Sequence, residues 1–298
     1  VAENLPGTAP SAGRPQLSRA ALDITVAVRC IDEYARAREV HVSAERPLTV
    51  YLDKREVVTL MTMGCAPELL VLGWIRNQQL VEHLEDIRAV QVDWETDAVA
   101  VTTTAGVEGL DQKLAHKTVT TGCGQGTMYG KLMARLEQLH LPRPMIRQSR
   151  IYALLNALTD HNAIYRRAGA VHGCALCQDT EILVFIEDVG RHNAVDAIAG
   201  HMWLENVDGA DKIFYTTGRL TSEMVIKVAQ MGIPILLSRS GVTQMGLELA
   251  QQLGVVLIAR ARGQHFLVYH GHEQIRFDAL PEQPAAPPPA QAHRSHGE

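Results

Sequence analysis

Apolar and polar positions alternate with a period of two through PLTVYL and EVVTLMTM, and the polar step between them predicts a β-hairpin turning near Asp53–Arg55. APELLVLGWIRNQQL follows with helical spacing through Leu69, Leu72 and Ile75. IRAVQVDWETDAVAVTT reads as a second hairpin. A glycine-rich loop, TTGCGQGT, then precedes a helix in MYGKLMARLEQLH with Leu132, Leu136 and Leu139 on one side. LPRP at 141–144 stops that helix, because proline lacks the backbone donor and disfavours helix in the residue before it.

From there the pattern changes. A helix is expected over Ser149–Arg167, with Ile151, Leu154, Leu155 and Leu158 on one face, then strands in AVHGCALC and ILVFIEDV. Helices in HNAVDAIAGHMWLEN, SEMVIKVAQM and TQMGLELAQQL alternate with strands in KIFYTT, PILLS and VVLIAR, and HFLVY is a last strand. Gly232 and Gly254 stand where helix C-caps belong. Such alternation predicts an α/β domain with a largely parallel sheet and helices on both faces. With the hairpin-rich first half, the chain is α+β overall. The organisation expected is a disordered N-terminus at 1–18, a β-rich N-terminal domain at 19–144, an α/β domain at 145–280, and a disordered proline- and alanine-rich tail at 281–298.

Composition narrows the function classes. Hydrophobic residues make up 46% of 298, enough for a substantial core, and the formal charge is -5 with no long basic run. That excludes a general nucleic-acid grip while leaving room for a local anion pocket. Five cysteines, an odd number, without a signal peptide read as reduced thiols in a cytoplasmic protein. No apolar run reaches membrane-spanning length, so no membrane insertion is expected.

In parallel sheets ligands bind beyond the carboxyl ends of the strands. Those ends carry TTGR (Thr216–Arg219), SRSG (Ser238–Gly241) and ARARG (Ala259–Gly263). Glycines such as Gly218 admit a ligand to the backbone, and Arg219, Arg239 and Arg262 offer forked donors for phosphate. The repetition of hydroxyls, glycines and arginines on three strands of one edge favours a phosphate-bearing ligand, although no P-loop is present. EDVGRHN (Glu187–Asn193) places Arg191 and His192 in a strand-to-helix turn, either to touch the ligand or merely to fix the turn. His172, Cys174 and Cys177 in VHGCALC allow three readings. They could be zinc ligands, but the glutamate a zinc deaminase needs is missing. They could be a redox pair, or Cys177 could be only a small buried hydrophobe. Cys123, among Gly122, Gly124 and Gly126, is either a mobile nucleophile with His116, Lys117 and Lys131 near in sequence, or a surface thiol.

The chain resembles the formate dehydrogenase accessory sulfurtransferase family, FdhD/NarQ. The likeness spans roughly Glu45 to Gly271 and is most specific in EDVGRHNAVDAIAG. It continues through TTGRLTSEMVIKVAQMGIPILLSRSGVTQMGLELAQQLGVVLIARARG and begins with ERPLTVYLDKREVVTLMTM. The resemblance implies a cytidine-deaminase-like C-terminal domain without the deaminase zinc, and a homodimer. It implies a sulfurtransferase that takes persulfide sulfur from a cysteine desulfurase and passes it to the bis-molybdopterin guanine dinucleotide molybdenum cofactor, before that cofactor enters formate dehydrogenase. The family's cofactor-binding stretch falls on Arg260, Ala261, Arg262, Gly263, Gln264 and His265; Gly218, Arg219, Ser238, Arg239, Arg191 and His192 complete the expected site for the guanine nucleotide phosphates. The sulfur-carrying loop of the family usually reads S-C-G-x-C-G. Here Cys123 matches its first cysteine and Gly126 replaces the second, so Cys174 and Cys177 are candidate secondary thiols. CAP at Cys65–Pro67 stands where the family has an acidic pair. Two alternatives stay open: a cofactor-binding chaperone without sulfur transfer, and a zinc or redox protein using Cys174 and Cys177.

Overall fold

The structure is a computed structural model that describes residues 13–110 and 138–281. The Cys123 loop and most of the helix expected after it lie outside the described residues.

In the first half, β1 (Gln16–Leu17), β2 (Thr25–Ile31), β3 (Ala37–Ser43), β4 (Arg46–Leu52) and β5 (Arg55–Thr62) lead to helix α1 (Pro67–Asn77), then β6 (Ile87–Asp93) and β7 (Ala98–Thr103). Both expected hairpins form: β4 pairs with β5 and β6 with β7, antiparallel. They join edge to edge through a parallel β4–β7 pairing into a five-stranded sheet of order β1-β6-β7-β4-β5. Two features depart from the sequence expectation. Residues 16–17 are not disordered but pair with β6. Residues 25–43 form a separate two-stranded hairpin, whose alternation in TVAVRC and REVHVS signals strands. Asp32 shapes its turn by accepting from the Tyr34 and Arg36 amides.

The second half comprises β8 (Ile146–Arg147), α2 (Gln148–His161), α3 (Ala163–Ala168), β9 (His172–Gln178), β10 (Glu181–Asp188) and α4 (Arg191–Leu204). It continues with β11 (Ile213–Thr216), α5 (Ser222–Gln230), β12 (Ile235–Ser238), α6 (Gln244–Leu253), β13 (Val256–Arg262), β14 (His265–His270) and β15 (Ile275–Arg276). The helix expected over 149–167 is two helices. Asn162 leaves helical geometry at φ -80°, ψ 55°, and its side chain donates to the Leu158 carbonyl, the local competition that makes asparagine a poor helix-interior residue. The six-stranded sheet runs β10-β9-β11-β12-β13-β14. It is mixed rather than largely parallel: only β11–β12–β13 are parallel, where helices α5 and α6 form the crossovers, while β10 and β14 follow β9 and β13 by tight turns and so run antiparallel to them, and β9 is antiparallel to β11 as well.

Helices cover both faces, as the alternation predicts. Ile151, Leu154, Leu155 and Leu158 of α2 pack on Ala175, Cys177, Tyr215, Leu237 and Ile258. On the other face, α4, α5 and α6 pack on Cys174, Leu176, Phe214, Leu236 and Leu257. That second cluster continues through α1 into Leu48, Val50, Val90 and Val101 of the first sheet, so one core runs through both halves. Helix α1 is apolar nearly all round and is accordingly buried on all sides, between its own sheet and α4. The two helices meet backbone to backbone. A Cβ on Gly73 would lie 1.7 Å from the Asp196 carbonyl oxygen, and one on Gly200 would lie 1.9 Å from that of Leu69. Gly254 ends α6 in the left-handed region at φ 73°, as its position in the sequence suggests.

Candidate functional site: the carboxyl edge of the second sheet

Pairing registers bring the singled-out turns together. Thr216 pairs with Ser238 across β11–β12, Cys174 pairs with Thr216 across β9–β11, and Asp188 pairs with His172 across β10–β9. The turns after Asp188, Thr216 and Ser238 and the start of β9 therefore share one edge. Backbone bonds lock them: the Thr217 amide donates to Gly173 O, the Arg239 amide to Thr216 O, and the Arg260 amide to Ser240 O.

The edge is cationic. Arg219 and Arg239 are exposed there, while Arg191 is buried, its stem passing over Gly218, where a Cβ would come within 2.8 Å of Arg191 Cδ. His172 sits among them. Burial, followed by the positive charges of Arg191, Arg219, His192 and Arg239, holds its imidazole below the usual histidine range. A basic group whose own protonation is opposed by surrounding guanidinium groups marks a place where an anion would be welcomed. Arg260, at φ 51° in the irregular pairing of β13 with β14, sends its guanidinium toward Gly241 and so joins the same edge.

Other expected contacts serve the frame instead. Ser238 is fully buried; its hydroxyl donates to Gly218 O at 2.6 Å and accepts from the Ser240 amide at 2.9 Å, so it braces two loops rather than facing a ligand. His192 turns inward, with Nε2 2.9 Å from Glu223 Oε2. It belongs to a buried chain in which Lys227 contacts Asp196 at 2.8 Å and Asn77 donates to Asp196 at 2.7 Å. Burial opposes the charge on His192, and lowers its affinity for a proton, despite Glu223. Ala261 is buried in the core, whereas Arg262, Gly263, Gln264 and His265 are exposed at the tip of the β13–β14 hairpin, Arg262 opposite His265.

The turn Glu187–Asn193 is fixed by Asp188 and Asn193 through partners from the first half of the chain, Thr62 and Met61. Asp188 accepts from the Thr62 hydroxyl at 2.6 Å, from Asn193 Nδ2 at 2.9 Å and from the Gly190 amide at 3.3 Å; Asn193 also donates to Met61 O at 2.6 Å. The site turn is thereby bolted to the end of β5 in the other half. An aspartate beside a glycine turn is a usual signal for such a role, but its partner at residue 62 is visible only in the fold.

A model of the FdhD/NarQ family matches residues 43–276. The chain belongs to that family. Relatives named sulfur carrier protein FdhD resemble it along most of their length. That of Bacillus subtilis is 30% identical over 263 residues, covering 85% of this chain and 99% of its own. That of Listeria monocytogenes is 31% identical, covering 80% and 92%, and that of Wolinella succinogenes is 28% identical, covering 79% and 82%. A crystal structure described as a formate dehydrogenase accessory protein from Desulfotalea psychrophila superposes with a TM-score of 0.70 at 27% identity, covering 85% of this chain and all of that one. The matched span begins at Ser43, so it starts after most of the Thr25–Ser43 hairpin and takes in the whole cationic edge.

The cysteines separate sharply. Cys174 and Cys177 lie on one strand three residues apart, so their side chains leave opposite faces: Cys174 packs toward α4 and Cys177 toward α2. Both are fully buried, and burial pushes both thiols up to about 12. They cannot close a disulfide with each other, share a metal or act as reachable secondary thiols in this fold, which leaves the reading of Cys177 as a small buried hydrophobe. Among the described residues no group of three or more His, Cys, Asp or Glu side chains converges as a metal site. Cys65 is pushed up to about 12 by burial and by Asp188, and donates to Glu187 O. Among the described residues no helix is long and apolar enough to cross a membrane.

Proposed function

We propose that this protein is a sulfur carrier serving formate dehydrogenase. Cys123, as thiolate, attacks the outer sulfur of a persulfide on a cysteine desulfurase; that S–S bond breaks, the desulfurase thiolate leaves, and Cys123 carries the sulfur as a new persulfide. The acceptor would be the bis-molybdopterin guanine dinucleotide cofactor: a cellular thiolate attacks Cys123 Sγ, the persulfide S–S bond breaks, a mixed disulfide with Cys123 forms and is reduced by a second thiol, and the outer sulfur leaves as sulfide, which the cofactor's molybdenum would take up in exchange for an oxygen ligand lost as water. The chain acts as a cytoplasmic homodimer in this reading.

The observation that carries the proposal is the cationic edge built from Arg191, Arg219, Arg239 and Arg260 around His172 in a chain whose relatives are named sulfur carriers. The donor set suits a nucleotide diphosphate: several guanidinium groups, with backbone loops on three neighbouring strands, while the Asp188 and Glu187 carboxylates are taken up by Thr62, Asn193, Ile164 and Tyr165. Here Arg219, Arg239 and Arg260 would hold the phosphates, and the exposed hairpin residues Arg262, Gln264 and His265 would flank the nucleotide. The cofactor would supply the metal that accepts the sulfur; the protein's own residues bind and orient it.

A second reading, a cofactor-binding chaperone without sulfur transfer, is favoured by one feature: Gly126 stands in place of a second loop cysteine, and the buried Cys174 and Cys177 cannot replace it. Labelled sulfur decides between them. With a desulfurase and labelled cysteine, the wild-type chain should acquire label and hand it to the cofactor, and Cys123→Ser should acquire none. Formate dehydrogenase activation that survives Cys123→Ser undiminished would establish the chaperone reading instead.

A further inference from the structure

We propose that Tyr165 is a positioning residue of the anion site, its ring holding the Arg239 guanidinium at the cationic edge while Glu187 fixes the ring, an assignment that rests on the phosphate-ligand reading above. Arg239 Cζ lies 5.5 Å from the centre of the Tyr165 ring. Both residues are otherwise exposed, Tyr165 at 47%. An arginine on an open loop samples many rotamers, and a ligand that needs one of them must first order it; a flat ring beneath the guanidinium orders it beforehand.

The ring in turn is not free. It stands in the first turn of α3, a helix of six residues too short to be stable by itself. Glu187 reaches across from the end of β10 and accepts from two amides of that turn that lack an intrahelical partner, Ile164 N through Oε2 and Tyr165 N through Oε1, each at 3.0 Å. The Arg239 amide is held separately, donating to Thr216 O at 3.2 Å. The residue opening the EDVGRHN turn therefore governs an arginine three strands away without touching it. Nothing in the sequence pairs residue 165 with 239, because they come from different turns on opposite sides of β9 and β11.

The test is calorimetric titration of the full chain with GDP at low salt, using Arg239→Ala, Tyr165→Ala, Tyr165→Phe and the double Arg239→Ala/Tyr165→Ala. Tyr165→Ala should weaken GDP about two- to fivefold, the size of an exposed cation–π contact. Tyr165→Phe should keep wild-type affinity, since the ring remains. Arg239→Ala should weaken it about tenfold or more. In the Arg239→Ala background, Tyr165→Ala should cost nothing further, because the ring acts only through the arginine. Tyr165 is exposed, so these variants fold; the buried Glu187→Gln is a supporting variant expected to reproduce the Tyr165→Ala loss. Equal losses from Tyr165→Ala in both backgrounds, or none in the wild-type background, would overturn the positioning role while leaving the ligand reading intact. Failure of the wild-type chain to bind GDP would overturn the ligand reading and this inference together.

Discussion

Replacing Gly73 by alanine tests the joint between the two halves of the molecule. In most helices that change is favourable by about 1 kcal/mol, because alanine loses less backbone freedom. Here the new Cβ would sit 1.7 Å from the Asp196 carbonyl oxygen and 2.6 Å from the Gly200 amide nitrogen. Both are helix backbone, which cannot rotate away as a side chain could. Restoring an ordinary contact of 3.4 Å requires α1 and α4 to part by roughly 1.7 Å. A gap of that size forfeits much of the dispersion between facing side chains, since even about 1 Å loses up to half of each contact. Overpacking of a tight core costs about 1–3 kcal/mol, and more where neither side can yield. With the propensity gain subtracted, a net loss of about 3 kcal/mol is expected, a fall in Tm of roughly 6–12 °C for a protein of this size. Scanning calorimetry of wild type, Gly73→Ala, Gly200→Ala and the double variant is the assay. Gly200→Ala meets the Leu69 carbonyl in the same way and should behave alike. The double should cost less than the sum, because one separation relieves both clashes. A Tm for Gly73→Ala equal to or above wild type would refute the backbone-to-backbone crossing.

Three further outcomes are expected. Lys227→Met should destabilise by about 3–5 kcal/mol, because it strands Asp196 in the core; since burial already raises the Asp196 carboxyl above its usual range, the variant should regain stability relative to wild type as pH is lowered from 7 to 5, read by chemical denaturation. His172 titrates below its usual range, so the unfolded chain binds its proton first: its contribution to stability is complete above about pH 6.5 and falls on acidification below that, a slope that His172→Asn should reduce and that inorganic pyrophosphate bound at the edge should also reduce, measured as Tm against pH. Native iodoacetamide labelling followed by peptide mapping should leave Cys174 and Cys177 unmodified until the protein unfolds; rapid labelling of either would contradict their burial.

Much of this was legible along the chain. The β4–β5 and β6–β7 hairpins and the parallel core β11–β12–β13 follow from periodicity alone, because period two and period 3.6 are set by backbone geometry. The position of the cationic edge followed too: TTGR and SRSG lie after strands that must be parallel neighbours if α5 and α6 connect them. What could not be read was direction within the site. Ser238 and Arg239 are adjacent, yet one is a fully buried brace and the other an exposed arm, since Ser238 ends a strand buried on both faces and Arg239 lies beyond it in the turn. His192 and Arg191 are both buried at the start of α4, yet they part company: the arginine stem passes over Gly218 at the edge, while the histidine turns toward Glu223 on a helix 31 residues away. The spacing of Cys174 and Cys177 suggests a pair on a helix or turn and excludes one on a strand, and the strand expected in AVHGCALC is the element that holds them.

The central claim is that this chain carries sulfur on Cys123. The most direct test is intact and peptide mass spectrometry after anaerobic incubation with a cysteine desulfurase and cysteine. The account predicts a reducible gain of one sulfur atom, confined to the Cys123 peptide and absent from Cys123→Ser. No adduct on any peptide, with the desulfurase shown to be turning over, would contradict the sulfur-carrier reading and leave a cofactor-binding chaperone in its place.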